Sequence, residues 1–541
     1  MKLIMFAIKR RPFYLILGLA ASLCAGLGSM SILLFLIHAS ESEQSTYVRI
    51  LLFSLLALFS VGGRVFSRIV LGELSGESST FLRRAVIQRI LLAPLARIEQ
   101  IGADLLDATL LEEISLVSRT IPRITQTVVS FSMIILGMIY LYAQYPAAGL
   151  ALTAALLAGI PIYILLRKSA AGIGRRRAKL WENLYQGLST LARGVKELKM
   201  DLYRQNFFLN VKIFQVLDNI KAENAQADVI GASVVVCGQA LAFLVVAFLI
   251  FSPDSFGVRD GMRPSIIIIY LLTPLDLFLN SVGEVFDGSK ALERVNGTIS
   301  MLDGEDEACV EQSAPRTPIF QSIRFSNLTY EYPNDSHFQL GPVSISLTPG
   351  KIVFLTGGNG SGKTTLFKML SGLYVAKSGD IWLNDEKING GNVGLLRSLV
   401  TAIFDDFHLF EEIIPRSHGL SEEDIQEEMV SLQLGSSVSI ERNRLSRTKL
   451  SKGQKKRLAL LNAYIDDRPI FLFDEWAADQ DPQFRKIFYK EILPRLRSRG
   501  KAVLAITHDE HYFGDADEIV EMRNGVIYQK ITMPAHGRQD A

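Results

Sequence analysis

The chain has 541 residues, 49% of them hydrophobic, with a mean hydropathy of +0.24 and a net charge of +2 from 57 basic and 55 acidic residues. That hydropathy is high for a wholly soluble chain and low for one that is all membrane, so a membrane part and a soluble part are expected. The balanced charge gives no overall basic excess toward nucleic acid, and three separated cysteines (Cys24, Cys237, Cys309) without a CxxC argue against a zinc site or disulfide framework.

Lys9, Arg10 and Arg11 precede an apolar run, Phe13 to Ile37, that is too long for an ordinary signal sequence and reads as a first retained span. Six segments are apolar enough for a bilayer-spanning helix: 13–37, 48–72, 127–144, 147–166, 229–251 and 264–285. The loop His38 to Thr46 carries Glu41 and Glu43 and no Lys or Arg, so it faces outward. The long segments 73–126 and 167–228 are rich in Arg and Lys and face the cytoplasm, as do both termini. Both long segments look helical and should project beyond the bilayer.

Asp276, Asn280 and Glu284 recur at every fourth position of the sixth span and share one helix face. They read either as a cavity wall that touches substrate, or as Asp276 paired with a buried base and Glu284 in the headgroup zone. From about Gly288 to Pro318 the apolar periodicity fades, and a solvated tether is expected. The division is therefore a transmembrane domain over 1–290, a linker over 291–317 and a second domain over 318–541.

In the second domain, short β-branched runs alternate with helical patterns, which predicts an α/β fold. Ile352 to Leu355 reads as a buried strand entering Gly357-Gly358-Asn359-Gly360-Ser361-Gly362-Lys363-Thr364-Thr365, the phosphate-loop pattern. Its backbone N–H groups and the following helix start suit phosphate oxygens, Lys363 the β/γ-phosphates of ATP, and Thr364 a Mg²⁺ ion. Ile470 to Phe473 is a second buried strand, ending in Asp474, which suits Mg²⁺, and Glu475, which suits a general base. A third strand, Ala502 to Thr507, ends at His508, which can face the γ-phosphate or the attacking water.

Leu450-Ser451-Lys452-Gly453-Gln454 then opens a helix upstream of the Asp474 strand. It resembles the signature of the ABC ATPases, usually Leu-Ser-Gly-Gly-Gln, and the motifs stand in that family's order over roughly 318–530. The resemblance implies a membrane all-α six-helix domain of the ABC exporter type fused to an α/β P-loop nucleotide-binding domain. It further implies a half-transporter whose signature caps ATP held by a second copy, with Ser451 and Gly453 donating to the γ-phosphate. Tyr332 matches the family's adenine-stacking aromatic, with Tyr330 as the alternative, and Ala478 to Asp481 the loop called the D-loop.

More narrowly, Leu-Ser-Lys-Gly-Gln-Lys-Lys-Arg from Leu450, Asp474 to Pro482, and His508 to Phe513 resemble the exporters of cyclic, microcin or siderophore peptides. The resemblance implies an ATPase that exports a cyclic or modified peptide across the inner (plasma) membrane as a homodimer, although a heterodimer stays open. A lipid or multidrug exporter is the first alternative, and an ATP-binding membrane receptor or regulator without transport the second.

Two positions depart from the family pattern. Asp405 stands where the family has a Mg²⁺-ligating glutamine, a role a carboxylate also fills. Lys452 replaces a glycine and reads either as a phosphate contact across the dimer or as a solvated cation.

Overall fold

The computed structural model describes residues 5–6, 11–39, 45–251, 261–303, 319–332, 335–388, 392–412, 422–434, 438, 440–441, 444–445 and 450–533. They form two compact units, one from Met1–Arg84 with Ala108–Gly297, the other from Ala85–Asp107 with Thr298–Ala541.

The first unit is helical. Its long helices are α1 (Pro12–Ala39), α2 (Thr46–Leu92, whose last residues belong to the second unit), α4 (Arg123–Gln144), α5 (Pro146–Arg193), α6 (Gln215–Phe251) and α7 (Met262–Leu302); α3 (Leu95–Ile101) lies in the second unit. Each predicted span falls within one of these long helices. Among the described residues, five helices are long and apolar enough to cross a membrane, and Pro146–Gly159 of α5 is a shorter apolar stretch. At 1.5 Å per residue, the 47 residues of α2 extend about 70 Å, over twice a hydrocarbon core. Gly288 to Leu302, where periodicity fades in the sequence, is the end of α7 and not a tether, with Ala291, Leu292 and Val295 buried. Residues 304–318, including the rest of that predicted linker, lie outside the described residues.

Lipid tails give apolar helices no reason to associate, so small residues and hydroxyls hold them together. Ser22 and Ser67 meet at 2.6 Å, Ser29 and Ser60 at 2.7 Å, and Ser67 and Thr125 at 3.1 Å, which joins α1, α2 and α4. Gly26 lets α1 close on α4, for a Cβ there would stand 1.7 Å from Ser132 Oγ and 2.6 Å from the Val129 carbonyl. Ser132 can turn away, but the carbonyl cannot. Gly26→Val should therefore cost about 1–3 kcal/mol, read as a lower midpoint of thermal unfolding in detergent; an unchanged midpoint would contradict this packing.

The second unit is built on two sheets. The first has the order β2-β1-β4-β5, from β1 (Ile323–Tyr332), β2 (Asp335–Leu347), β4 (Ser378–Leu383) and β5 (Glu386–Ile388). The second has the order β10-β9-β3-β8-β7-β6, from β3 (Ile352–Gly357), β6 (Val400–Ile403), β7 (Ile470–Asp474), β8 (Ala502–Ile506), β9 (Glu518–Arg523) and β10 (Val526–Thr532). Strands β9, β3, β8, β7 and β6 pair in parallel, and β3, β7 and β8 are almost wholly buried. Their unbroken apolar runs are what a sheet covered on both faces requires. Helices α8 (Lys363–Leu370) and α9 (Lys452–Asp466) precede β4 and β7 respectively.

The short helix α3 belongs to this unit. Leu95 and Ala96 pack on the core that holds Tyr330 and Tyr374, and Glu99 takes Lys368 Nζ at 2.7 Å together with the Tyr374 hydroxyl. Asp303 pairs with Arg89 at 2.9 Å.

Candidate functional site

The parallel register places Asp474 level with Ile506, and Ile506 level with Leu355. Three strand ends therefore open at one edge of the sheet, where open α/β sheets take their ligands.

At the end of β3 the chain turns through Gly357, Gly360 and Gly362 with φ of 142°, 75° and 98°, a region that side chains resist. A Cβ on Gly357 would stand 2.4 Å from the Met522 carbonyl, whereas Cβ atoms on Gly358 and Gly360 would meet nothing within 4 Å. That open side leaves room for an anion beside the backbone. Asn359 is exposed on it, while Ser361 is buried with its hydroxyl unpartnered. Lys363 Nζ donates to the carbonyls of Gly357 at 2.8 Å and Gly358 at 3.0 Å. Burial pushes this ammonium down, against the opposing pull of Glu475 and Asp474. Thr364 is exposed in the first turn of α8 and Thr365 is buried behind it. An orphaned hydroxyl, a lysine at hand and a helix start fit the phosphates of a nucleotide.

Asp474 is buried, and burial, then the neighbouring Glu475 and Asp405, push its carboxyl up to about 6. Such a carboxylate gains from a cation, so with Thr364 it fits a Mg²⁺ ion. Glu475 sits in the left-handed region at φ 46°. Its Oε1 is 3.4 Å from His508 Nε2, and both side chains are open to solvent. His508 is steadied by its neighbour, because Asp509 takes the Tyr489 hydroxyl at 2.9 Å and pairs with Arg485 at 3.3 Å.

The two tyrosine candidates separate by burial. Tyr332 is half-buried and its hydroxyl meets Thr365 Oγ1 at 2.9 Å. Tyr330 is buried beneath it, stacked on Tyr374 at 4.7 Å, and burial pushes its hydroxyl up to about 12. Of the two, Tyr332 is the more exposed.

Ser451 caps α9 by accepting from the Gln454 N–H at 3.2 Å, and the Ser451 N–H in turn donates to Gln454 Oε1 at 3.1 Å. The Gln454 side chain thus completes the capping box, while Gly453 lies against the turn that ends at Asp479, where a Cβ would be 3.0 Å from the Asp479 carbonyl. Lys452 is exposed, and it pairs with Asp479 at 3.0 Å and Asp405 at 3.4 Å in its own chain. Asp405 also takes Lys456 Nζ at 2.8 Å. Burial pushes the Asp405 carboxyl up, but the hydrogen bond and charge of Lys456, with Lys452, outweigh it and hold the group below its usual range. Lys456 was missed in the sequence; its place one turn beyond Lys452 on the same helix face was the available signal.

The polar stripe of α7 is brought only partly together. Asn280 Nδ2 donates to Asp276 Oδ1 at 3.1 Å, while Glu284 pairs with Arg123 of α4 at 2.8 Å.

Comparison with known proteins agrees with this geometry. The family described as ABC transporter matches residues 340–478. The ATP-binding protein SyrD of Pseudomonas syringae pv. syringae is 29% identical over 549 residues, covering 98% of this chain and 96% of that protein. A probable ABC transporter ATP-binding/permease protein of Haemophilus influenzae is 26% identical over 392 residues, 69% of each chain. The energy-coupling factor transporter ATP-binding protein EcfA1 of Mycoplasma mobile is 30% identical over 222 residues, 38% of this chain and 78% of its own. The chain belongs to the ABC transporters, with a multi-pass permease domain followed by an ATP-binding domain whose ATPase activity drives export.

Proposed function

We propose that the exported substrate is a cyclic or modified peptide of the microcin or siderophore type, moved out of the cytoplasm by a homodimer with paired ATP sites. Tyr332 stacks on adenine. The loop from Gly357 to Thr365 wraps the phosphates, with Lys363 on the β/γ-phosphates. Mg²⁺, when bound, supplies positive charge to the phosphate oxygens, and Thr364 and Asp474 are the residues that fit it. Asp405 is at the same site, but its Oδ1 is engaged by Lys456 and Lys452. Glu475 accepts the proton of the attacking water, and His508 holds that water and the γ-phosphate in line. Ser451, Gly453 and the start of α9 close over the nucleotide held by the other copy. Both chain termini lie in the cytoplasm of an inner-membrane protein, and Asp276 and Asn280 face the path of the substrate.

What carries the ATP part is the convergence of Lys363, Asp474, Glu475 and His508 at neighbouring strand ends. The peptide assignment is supported by the sequence around Lys452, Asp474 and His508, which resembles that of peptide exporters. Its test is ATPase activity in lipid nanodiscs against a panel of cyclic and lasso peptides, lipid-A-type lipids and cationic amphiphiles. Stimulation by the peptides alone is expected. Stimulation by lipids or by diverse amphiphiles, with none by peptides, would reject the peptide substrate and leave the exporter in place.

A further inference from the structure

Lys456, on α9, is fully buried at 0% exposure. A buried ammonium requires partners, and removing one of them leaves an uncompensated charge. Its Nζ donates to Asp405 Oδ1 at 2.8 Å and to the Glu475 carbonyl at 2.9 Å, and lies 2.7 Å from Asp479 Oδ2. With Lys452 on the same two carboxylates, two positive charges face two negative ones. The partners come from three places: the loop after β6, the end of β7, and the turn that ends at Asp479.

Glu475 needs such a fixture. A residue with a side chain holds the left-handed conformation only where its surroundings impose it. Here the Glu475 N–H donates to the Ile506 carbonyl at 3.2 Å, and its carbonyl accepts from the Ala478 N–H at 3.2 Å as well as from Lys456. From the other side, Trp476 Nε1 donates to the Lys456 carbonyl at 2.9 Å, and the indole is stacked 4.5 Å from Phe488. Lys456 thus holds Glu475 and Trp476 from two sides, with its side chain on the Glu475 carbonyl and its own carbonyl on the Trp476 indole.

We propose that Lys456 is a positioning residue for ATP hydrolysis: it fixes the left-handed turn that aims Glu475 and ties the Asp405 loop and the Asp479 turn to that residue. The inference rests on Glu475 being the general base. Lys456 acts through Glu475, so its removal should slow turnover without weakening ATP binding.

The test measures kcat and KM for ATP in the full-length protein with Lys456→Met, Lys456→Gln and Glu475→Gln. Lys456→Met should lower kcat by about tenfold to a hundredfold, the scale of a small misplacement of a reacting group, with KM within about threefold of the parent. Lys456→Gln, whose amide still reaches toward the Glu475 carbonyl, should recover part of the loss. A kcat within about twofold of the parent, or a matching loss of ATP affinity, would overturn the proposal. Should Lys456→Met fail to fold, Asp405→Asn/Lys456→Gln removes one charge of each sign and is compared with Asp405→Asn alone. A lower kcat in the double variant at constant KM supports the proposal, and equal values overturn it. A Glu475→Gln protein that still hydrolyses ATP would instead reject Glu475 as base; an inactive Glu475→Gln beside an active Lys456→Met rejects only the role of Lys456.

Discussion

Glu475→Gln should lower ATP hydrolysis by about 100- to 1000-fold, equivalent to roughly 3–4 kcal/mol, while leaving ATP binding intact. Glutamine has the same shape, so the turn at φ 46° and its backbone bonds to Ile506, Ala478 and Lys456 survive. His508 Nε2, 3.4 Å from Oε1, keeps a neighbour that accepts or donates. What disappears is an acceptor basic enough to take a proton from water. Two neighbouring carboxylates are not placed to substitute: Asp474 is buried and suited to the cation, and Asp405 is held by two lysines. Phosphate release at saturating ATP, beside titration with a fluorescent nucleotide, separates the two effects. Retention of more than about a tenth of the parent rate would move the base elsewhere.

Lys363→Ala should have the opposite signature, losing ATP affinity first. The lysine donates to the carbonyls of Gly357 and Gly358 and is buried in the loop it closes. Bringing phosphate to the loop exchanges these neutral acceptors for charged oxygens, and hydrogen bonds to charged groups are worth about 1.5–3 kcal/mol. Affinity should fall by about 10- to 100-fold by the usual conversion, and hydrolysis with it. Arginine at the same place is not a conservative rescue, because its planar fork does not fit a loop built around one ammonium. Wild-type affinity in Lys363→Ala would mean that the loop binds phosphate by its backbone alone.

What the sequence made legible follows from range. Apolar runs as long as 229–251 have one physical reading, and each lies in a long helix. Strands β3, β7 and β8 are unbroken apolar runs that end in chemistry-bearing residues, so their strand ends were legible too. The helix at Gly288 to Leu302 was not, because its buried residues alternate with Lys290, Glu293 and Arg294, and the last of these pairs with Glu113, far away in the chain and 2.6 Å away in space. The same holds for the ammonium cluster: Asp405 and Lys456 are far apart in sequence, and only the fold brings them to 2.8 Å. Glu99, one acid on the seven-residue helix α3, gave no sign of its bond to Lys368. Tyr330 and Tyr332 stand two apart on one strand and face the same side, so burial and not pattern decides between them. The Asp276 stripe was legible as a shared face, but not that Glu284 is answered by Arg123.

The most direct test is ATP-driven uptake of a labelled cyclic or lasso peptide into inside-out membrane vesicles, comparing the intact protein with Glu475→Gln. The account predicts uptake that requires hydrolysable ATP and is lost in the variant. Equal peptide accumulation by both proteins, or accumulation without ATP, would contradict export driven by hydrolysis at this site.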